Sequence, residues 1–425
     1  MNINEELYWS KLDNTGKIYP AVSDLGSTNV FRMSAYLYED VKPETLKIAL
    51  NKALEVMPIF KVKLRRGLFW PYFEINFDEP IIYEENFYPC KTILRKENNN
   101  FLFKVSYFKN KINLEVFHAL GDGAGILKFL HHILYYYLKE LYPDRISDDA
   151  EIFRTNVASI AMGEDAFAKH KNAADVKTNL KNRNAYSIPG TLMDGNKLKV
   201  IIAKIPLADF LKVVKSKKVT VSIYLVALVT YAIYSEELKR DTLKKPITVC
   251  LPTNLRVFFE TSTVRNFFTN IYPTVDFENE NYTFDDVLDI ISDEFRKYLD
   301  KNYLAQRIRY FSNLEKNPLL RIVPLPIKNY ALKGVYRSSE NTQTTVISSL
   351  GRIEFNNGID DFIKDLEIII SPSFSNPLKT LNFSYKDTFY LDFTSLIEDT
   401  DVVRFVIRFL SRQGLDVTVY TNEVE

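Results

Sequence analysis

Apolar and polar positions along the chain recur with two different spacings, and the spacing changes several times before residue 142. Phe31–Glu39 (FRMSAYLYE) is rich in aromatic and apolar side chains and predicts a strand. Pro43 then opens a helix, with Leu46, Ala49, Leu50, Ala53 and Leu54 at helical spacing until Pro58 stops it. Short strand-like runs follow at Lys61–Leu64 and Tyr72–Phe77. Phe101–Phe108 and Ile112–Phe117 flank the turn-like Lys109-Asn110-Lys111 and predict a hairpin. A long amphipathic helix comes next, its apolar face made of Ile126, Leu127, Leu130, Ile133, Leu134, Tyr137, Leu138 and Leu141. The segment HALGDGAG therefore lies where a strand ends and a helix begins.

From Arg145 to about Leu198 the chain turns polar, and this stretch is the candidate crossover between two halves. The second half opens with a strand at Lys199–Ile205, a helix around Leu207–Lys215, a strongly apolar helix at Val221–Glu236 and a strand at Ile247–Leu251. A strand at Phe267–Val275 and helices at Phe284–Lys301 and Tyr303–Leu314 follow. The chain closes with strands at Thr344–Ser348, Leu381–Tyr385 and Thr388–Phe393, a helix at Asp399–Arg412 and a strand at Asp416–Thr421. The expected fold class is α/β (α+β), with helices covering mixed or antiparallel sheets. At 425 residues the chain exceeds the size at which one core stops growing. The expected division is residues 1–160, a crossover over 161–198, and residues 199–425, with a cleft between the halves.

Lys plus Arg number 55 and Asp plus Glu 54, so no net field draws the chain to nucleic acid or to an anionic membrane, and any anionic ligand must be held locally. The opening residues lack a basic segment followed by an apolar run, and no apolar stretch reaches about 18 residues. A cytoplasmic location is expected. Since two halves already supply an interface that can build a site, so is a monomer. Cys90 and Cys250 are too few for a disulfide framework or a thiolate metal cluster, and both lie in apolar surroundings.

His118, Asp122 and Gly123 form the pattern H-x-x-x-D-G at the strand-to-helix junction. A histidine titrates near neutrality, so it is the usual side chain for taking a proton from an attacking hydroxyl or amine. The structural alternative for this segment is a turn whose Asp caps the following helix.

With these residues the chain resembles the CoA-dependent acyltransferase superfamily of chloramphenicol-acetyltransferase-like fold. That superfamily includes alcohol O-acetyltransferases, plant acyltransferases of the BAHD type, mycobacterial polyketide-associated acyltransferases and nonribosomal condensation domains. The resemblance runs from Trp9-Ser10-Lys11-Leu12-Asp13 through His118–Gly123 to Leu251-Pro252-Thr253-Asn254-Leu255-Arg256 and Arg265-Asn266-Phe267-Phe268. It ends with Ser348-Ser349-Leu350-Gly351-Arg352-Ile353 and Asn382-Phe383-Ser384-Tyr385. It implies two such subdomains with the active-site tunnel between them. It also implies His118 as general base, Asp122 as a structural residue paired with Arg256, and Asn266 on a strand bordering the tunnel. Ser348 or Ser349 would donate a hydrogen bond to the oxyanion, although related sequences often have Ser-Asn there. Gly123 completes the motif.

The implied reaction is transfer of an acetyl or short acyl group from acyl-CoA to an alcohol hydroxyl by direct attack, without an acyl-enzyme. Acyl-CoA would be a co-substrate, with no permanently bound cofactor and no metal. An amine acceptor, an acyl carrier protein as donor in a condensation-like enzyme, and a non-catalytic lipid- or carrier-binding homologue are the alternatives. The second His that condensation domains and wax-ester acyltransferases carry before the motif is Phe117 here. The D-F-G-W-G block of BAHD enzymes is absent, because Trp occurs only at 9 and 70. His131 and His132 lie inside a helix without a metal-ligand pattern. The stretch Lys212–Lys218 (KVVKSKK) is a solvated helix end or a contact for a CoA phosphate.

Overall fold

A computed structural model describes residues 9–93, 96–148, 162–171, 183–194, 197–238, 245–277, 281–316 and 322–422. The first half contains β1 (Trp9–Lys11), α1 (Tyr19–Val22), β2 (Val30–Leu37), α2 (Pro43–Val56), β3 (Val62–Arg66), β4 (Pro71–Ile75), β5 (Ile82–Glu84), β6 (Phe103–Phe108), β7 (Lys111–Phe117) and α3 (Gly123–Leu141). Residues 149–161, 172–182 and 195–196 of the polar crossover lie outside the described residues; the short α4 (Ala166–Lys169) belongs to it. Then come β8 (Lys199–Pro206), α5 (Leu207–Ser216), α6 (Val221–Leu238), β9 (Ile247–Asn254), β10 (Phe268–Ile271), β11 (Thr274–Val275), α7 (Phe284–Tyr298) and α8 (Lys301–Lys316). The chain continues through α9 (Leu325–Glu340), β12 (Thr345–Ile353), β13 (Ile363–Ile370), β14 (Leu378–Tyr385), β15 (Thr388–Ser395), α10 (Asp401–Arg412) and β16 (Thr418–Thr421).

The strands form three sheets: β1-β4-β3, β13-β2-β7-β6-β5, and a large mixed sheet β10-β9-β12-β14-β15-β8-β16 with β11 also paired to β9. In the large sheet β12 runs parallel to both β9 and β14. The helical stripe foreseen after the motif is buried as Ile126, Leu130, Ile133, Leu134, Tyr137 and Leu138, with Phe129 added to it. With α2 it covers the five-stranded sheet over one core. α6 buries consecutive residues Leu225 to Val229, as a helix apolar on every side must, and packs with α7 and α10 on the large sheet.

Two departures from the sequence reading have clear causes. The single strand expected over Phe267–Val275 is divided into β10 and β11 around Tyr272-Pro273; Pro273 has no N–H for the ladder and offers only its carbonyl, which accepts from Val249 N–H at 3.1 Å. The sequence reading includes neither strand β13, whose apolar run Ile368-Ile369-Ile370 is preceded by the charged Lys364, Asp365 and Glu367, nor helix α9, which carries Gly334 in its interior. β13 pairs antiparallel with β2, Ile370 opposite Phe31 and Ile363 opposite Leu37. A strand from beyond residue 199 thus completes the first half's sheet, and the two halves interlock rather than merely touch.

Candidate active site

The register of β7 and β2 fixes the place of His118. The strand ends at Phe117, and the next N–H, that of His118, donates to Asn29 O at 2.9 Å, just ahead of β2. The ring lies stacked on Tyr19 of α1, centroids 4.6 Å apart, with Phe31 edge-on at 5.2 Å and Phe268 of β10 at 5.8 Å. These rings come from both halves of the chain.

His118 Nδ1 lies 3.1 Å from Asn266 Oδ1. The amide orientation follows from its other contacts: Asn266 Nδ2 donates to the backbone carbonyl of His118 at 3.2 Å and to Asp13 Oδ2 at 3.0 Å. A carbonyl oxygen can only accept, so the NH₂ group must face it and Oδ1 must face the imidazole. Nδ1 therefore carries the hydrogen in the neutral ring, and Nε2 keeps its lone pair. Burial holds the His118 pKa below the ordinary 6.5, against the opposing pull of its own backbone carbonyl, Asp122 and Asn266. At neutral pH the ring is an uncharged base.

Asp13 anchors the far side of Asn266. Its Oδ1 accepts from Gly16 N–H at 2.6 Å and its Oδ2 from both the side chain and the backbone N–H of Asn266. Burial raises its pKa to about 6, only partly offset by these hydrogen bonds and by the nearby Arg265 guanidinium. Asp13 stands in the WSKLD block that the sequence drew attention to, but nothing in its spacing told that it would be the third member of a chain Asp13–Asn266–His118.

Asp122 has both structural roles that the sequence suggested. Oδ1 caps α3 by accepting from Gly125 N–H at 3.0 Å, and Oδ2 accepts from Arg256 Nη1 at 2.7 Å and from Phe267 N–H at 2.9 Å. The guanidinium of Arg256 gives three further hydrogen bonds, to Thr263 O, Arg265 O and Asn254 Oδ1. Both carboxylate oxygens are thus committed to backbone and Arg256, and none is turned to the imidazole. The glycines of the motif are steric requirements. A Cβ at Gly125 would overlap the carbonyl oxygen of Val264, and one at Gly123 would come within 2.8 Å of Leu350 Cδ2. Val264 and Leu350 come from the second half, so these glycines let the two halves close on each other.

A cavity of about 480 Å³ runs between the sheets past His118. Asp122, Gly123, Arg256, Ser348 and Ser349 also border it. The two serines differ: Ser349 Oγ donates to Asn382 Oδ1 at 2.9 Å, while Asn382 Nδ2 holds Ser348 O at 3.1 Å. The Ser348 hydroxyl makes no hydrogen bond to the protein among the described residues. A bulge at Leu350 interrupts the β12–β14 pairing immediately after the two serines. Sequence reading missed Lys379, which reaches the cavity wall, donates to Ser371 O at 2.9 Å and has its pKa lowered by burial. It also missed Cys250 as a wall residue; burial pushes that thiol up to about 12, and burial raises Cys90 as well, so neither is a thiolate at neutral pH. The lysines of Lys212–Lys218 do not line this cavity, and Lys217 pairs with Asp285 at 2.6 Å.

No family model matches the chain, and no curated protein matches it either. Solved structures do. TRI101 from F. sporotrichioides, solved with coenzyme A and T-2, superposes with a TM-score of 0.65 at 12% identity, over 96% of this chain and 99% of that one. This chain has the chloramphenicol-acetyltransferase-like fold. The same fold relates it to polyketide synthase associated protein 5 from Mycobacterium tuberculosis, with a TM-score of 0.56 at 13% identity over 94% and 96% of the two chains. The nonribosomal peptide synthetase FmoA3 matches with a TM-score of 0.62 at 12% identity, over 97% of this chain and 43% of that one. As in the acyltransferase fold generally expected from the H-x-x-x-D-G resemblance, two sheets covered by helices face each other across the cavity.

Proposed function

We propose that this protein is an acyltransferase that moves an acetyl or short acyl group from an acyl-CoA thioester to an alcohol hydroxyl, with His118 as general base. The observation that carries the reading is His118 at the cavity wall, paired with Asn266 behind it, which leaves a neutral imidazole with a bare Nε2; Asn266 itself precedes β10 and does not line the cavity, unlike the strand position expected for it. In the reaction Nε2 takes the proton of the acceptor hydroxyl as its oxygen attacks the thioester carbonyl. The new C–O bond gives a tetrahedral oxyanion, whose collapse breaks the C–S bond, and the imidazolium returns its proton to the departing thiolate. Ser348, whose hydroxyl is uncommitted, is the donor for the oxyanion; Ser349 is occupied by Asn382. Asp122 and Arg256 hold the loop and do not touch the reacting atoms. The raised thiol pKa values of both cysteines favour direct attack over a thiol-bound acyl intermediate.

The match to FmoA3 supports a second reading, in which the thioester is borne by a carrier protein and the acceptor is an amine or an alcohol. The test is release of free thiol from a panel of acyl-CoAs with small and long-chain alcohols and amines, by wild type and His118→Ala. Acceptor-dependent release that the substitution removes is expected. Full activity in the folded variant refutes His118 as base, and release only from a loaded carrier selects the second reading.

A further inference from the structure

Helix α9 is a wall with two different faces. Tyr336, Ser339 and Glu340 turn inward and line the cavity. Near its start the helix is fastened to the turn between β3 and β4: Leu325 N–H donates to Leu68 O at 2.9 Å, and Lys328 Nζ donates to Phe69 O at 2.8 Å while lying 3.7 Å from the Trp70 ring centre. The outer side is apolar. Tyr330 is 85% exposed, Val335 68% and Ile327 63%; beside them Ile322 is 67% exposed and Leu68, at the hairpin tip, 72%. A single exposed leucine needs no explanation, but large apolar side chains gathered on two adjoined segments mark a surface that something covers.

The charges of these segments have one sign. Every charged residue in 65–70 and in 322–339 is a cation: Arg65, Arg66, Lys328, Lys333 and Arg337. Arg65 is matched by Glu74, and Lys333 and Arg337 face Asp24, so the surface keeps a net positive charge with Arg66 exposed and without an ion pair among the described residues. An acidic protein partner would need a field of unmatched cations, whereas most of these are engaged and the exposed area is mainly apolar. Apolar and aromatic tips edged by a modest positive charge suit insertion into the headgroup region of an anionic bilayer. Among the described residues no single helix is long and apolar enough to cross a membrane; the bent pair α5 and α6 together has the length and composition, but its apolar residues form the core under the large sheet.

We propose that the outer side of α9 and the β3–β4 tip dock on an anionic lipid surface, so that a lipid-like alcohol passes from the bilayer into the cavity along the inner side of α9. The second part rests on the acyl-transfer reading given above; the docking does not. The test is flotation of the full chain at low ionic strength with vesicles of phosphatidylcholine alone or mixed with phosphatidylglycerol. It compares wild type with the double variant Leu68→Glu, Tyr330→Glu and with Tyr330→Ala. Wild type floats with the mixed vesicles, and the double variant does so at least roughly tenfold less, with Tyr330→Ala between them. Both substituted positions are exposed, so the variants keep the wild-type thermal midpoint and the same thiol release with a water-soluble alcohol. Absence of wild-type flotation, or equal flotation of the double variant, overturns the proposal. So does capture of an acidic carrier protein by the same face with no vesicle binding. Flotation retained in a protein that releases no thiol from any donor leaves the docking standing and removes the acyl-transfer reading.

Discussion

Asn266 Oδ1 accepts the Nδ1 proton of His118 across 3.1 Å, and the rest of the Asn266 amide is held by Asp13 and by the carbonyl of His118 itself. An amide fixed on three sides is a positioning device: it selects the tautomer and the ring angle without bringing a full charge to the imidazole. A carboxylate in the same place would raise the pKa and leave the base protonated over more of the neutral range.

Activity is therefore expected to rise with pH and level off once His118 is neutral. Because the folded pKa is below 6.5, the acid limb of kcat/KM should have its midpoint below that value. In Asn266→Ala the hydrogen bond that raises the pKa is gone, so the limb moves to still lower pH. At the same time kcat falls by roughly 10- to 100-fold with little change in KM, since the ring loses its orientation. A steady-state pH profile of both proteins decides this. An unmoved limb with unchanged kcat would mean that Asn266 only supports the fold.

Asp122 and Arg256 join the motif loop to the second half, with side chains only 9% and 17% exposed. Removing one partner leaves the other charge poorly hydrated. Arg256→Ala and Asp122→Ala should each cost about 3 to 5 kcal/mol of unfolding free energy, and the double substitution less than the sum of the two. Urea titrations of the four proteins measure the coupling. Independent, additive losses would place Arg256 among ordinary surface arginines.

Gly125 has no room for a side chain against Val264. Gly125→Ala should cost on the order of 3 kcal/mol or more and reduce activity along with stability, because α3 must shift away from the Val264 backbone and carry His118's loop with it. Thermal denaturation and thiol release on the same preparation test the pair of effects. A Gly414→Ala control is strained by its left-handed backbone, yet meets nothing within 4 Å, and should leave catalysis intact.

Asp13 binds its proton more tightly in the folded protein, about 6 against an ordinary 3.8. The sign follows: the native state is favoured by the protonated form, so this contribution is complete below pH 3.8 and is lost as pH rises to about 6, a change on the order of 3 kcal/mol. The unfolding free energy of wild type minus that of Asp13→Asn, measured from pH 4 to 7, should fall with rising pH. A flat difference would show that Asp13 has an ordinary pKa in the folded chain.

The local pattern of the sequence determined much by itself. Periodicity located α2, α3, the β6–β7 hairpin and α6, because each buries a face that must repeat at the spacing of its own backbone. The H-x-x-x-D-G segment located a histidine at a strand end and a cap at a helix start, because capping is decided within four residues. The order of the blocks containing Asp13, His118, Arg256, Asn266 and Ser348 indicated the fold. Tertiary structure decided the rest. That β13 joins β2, that Asp13 steadies Asn266 253 residues away, and that Ser349 is occupied while Ser348 is not all depend on contacts between distant segments. Hydrogen bonds of that kind leave no period in the chain: any polar residue can make them, and only the packed backbone brings the two partners within 3 Å.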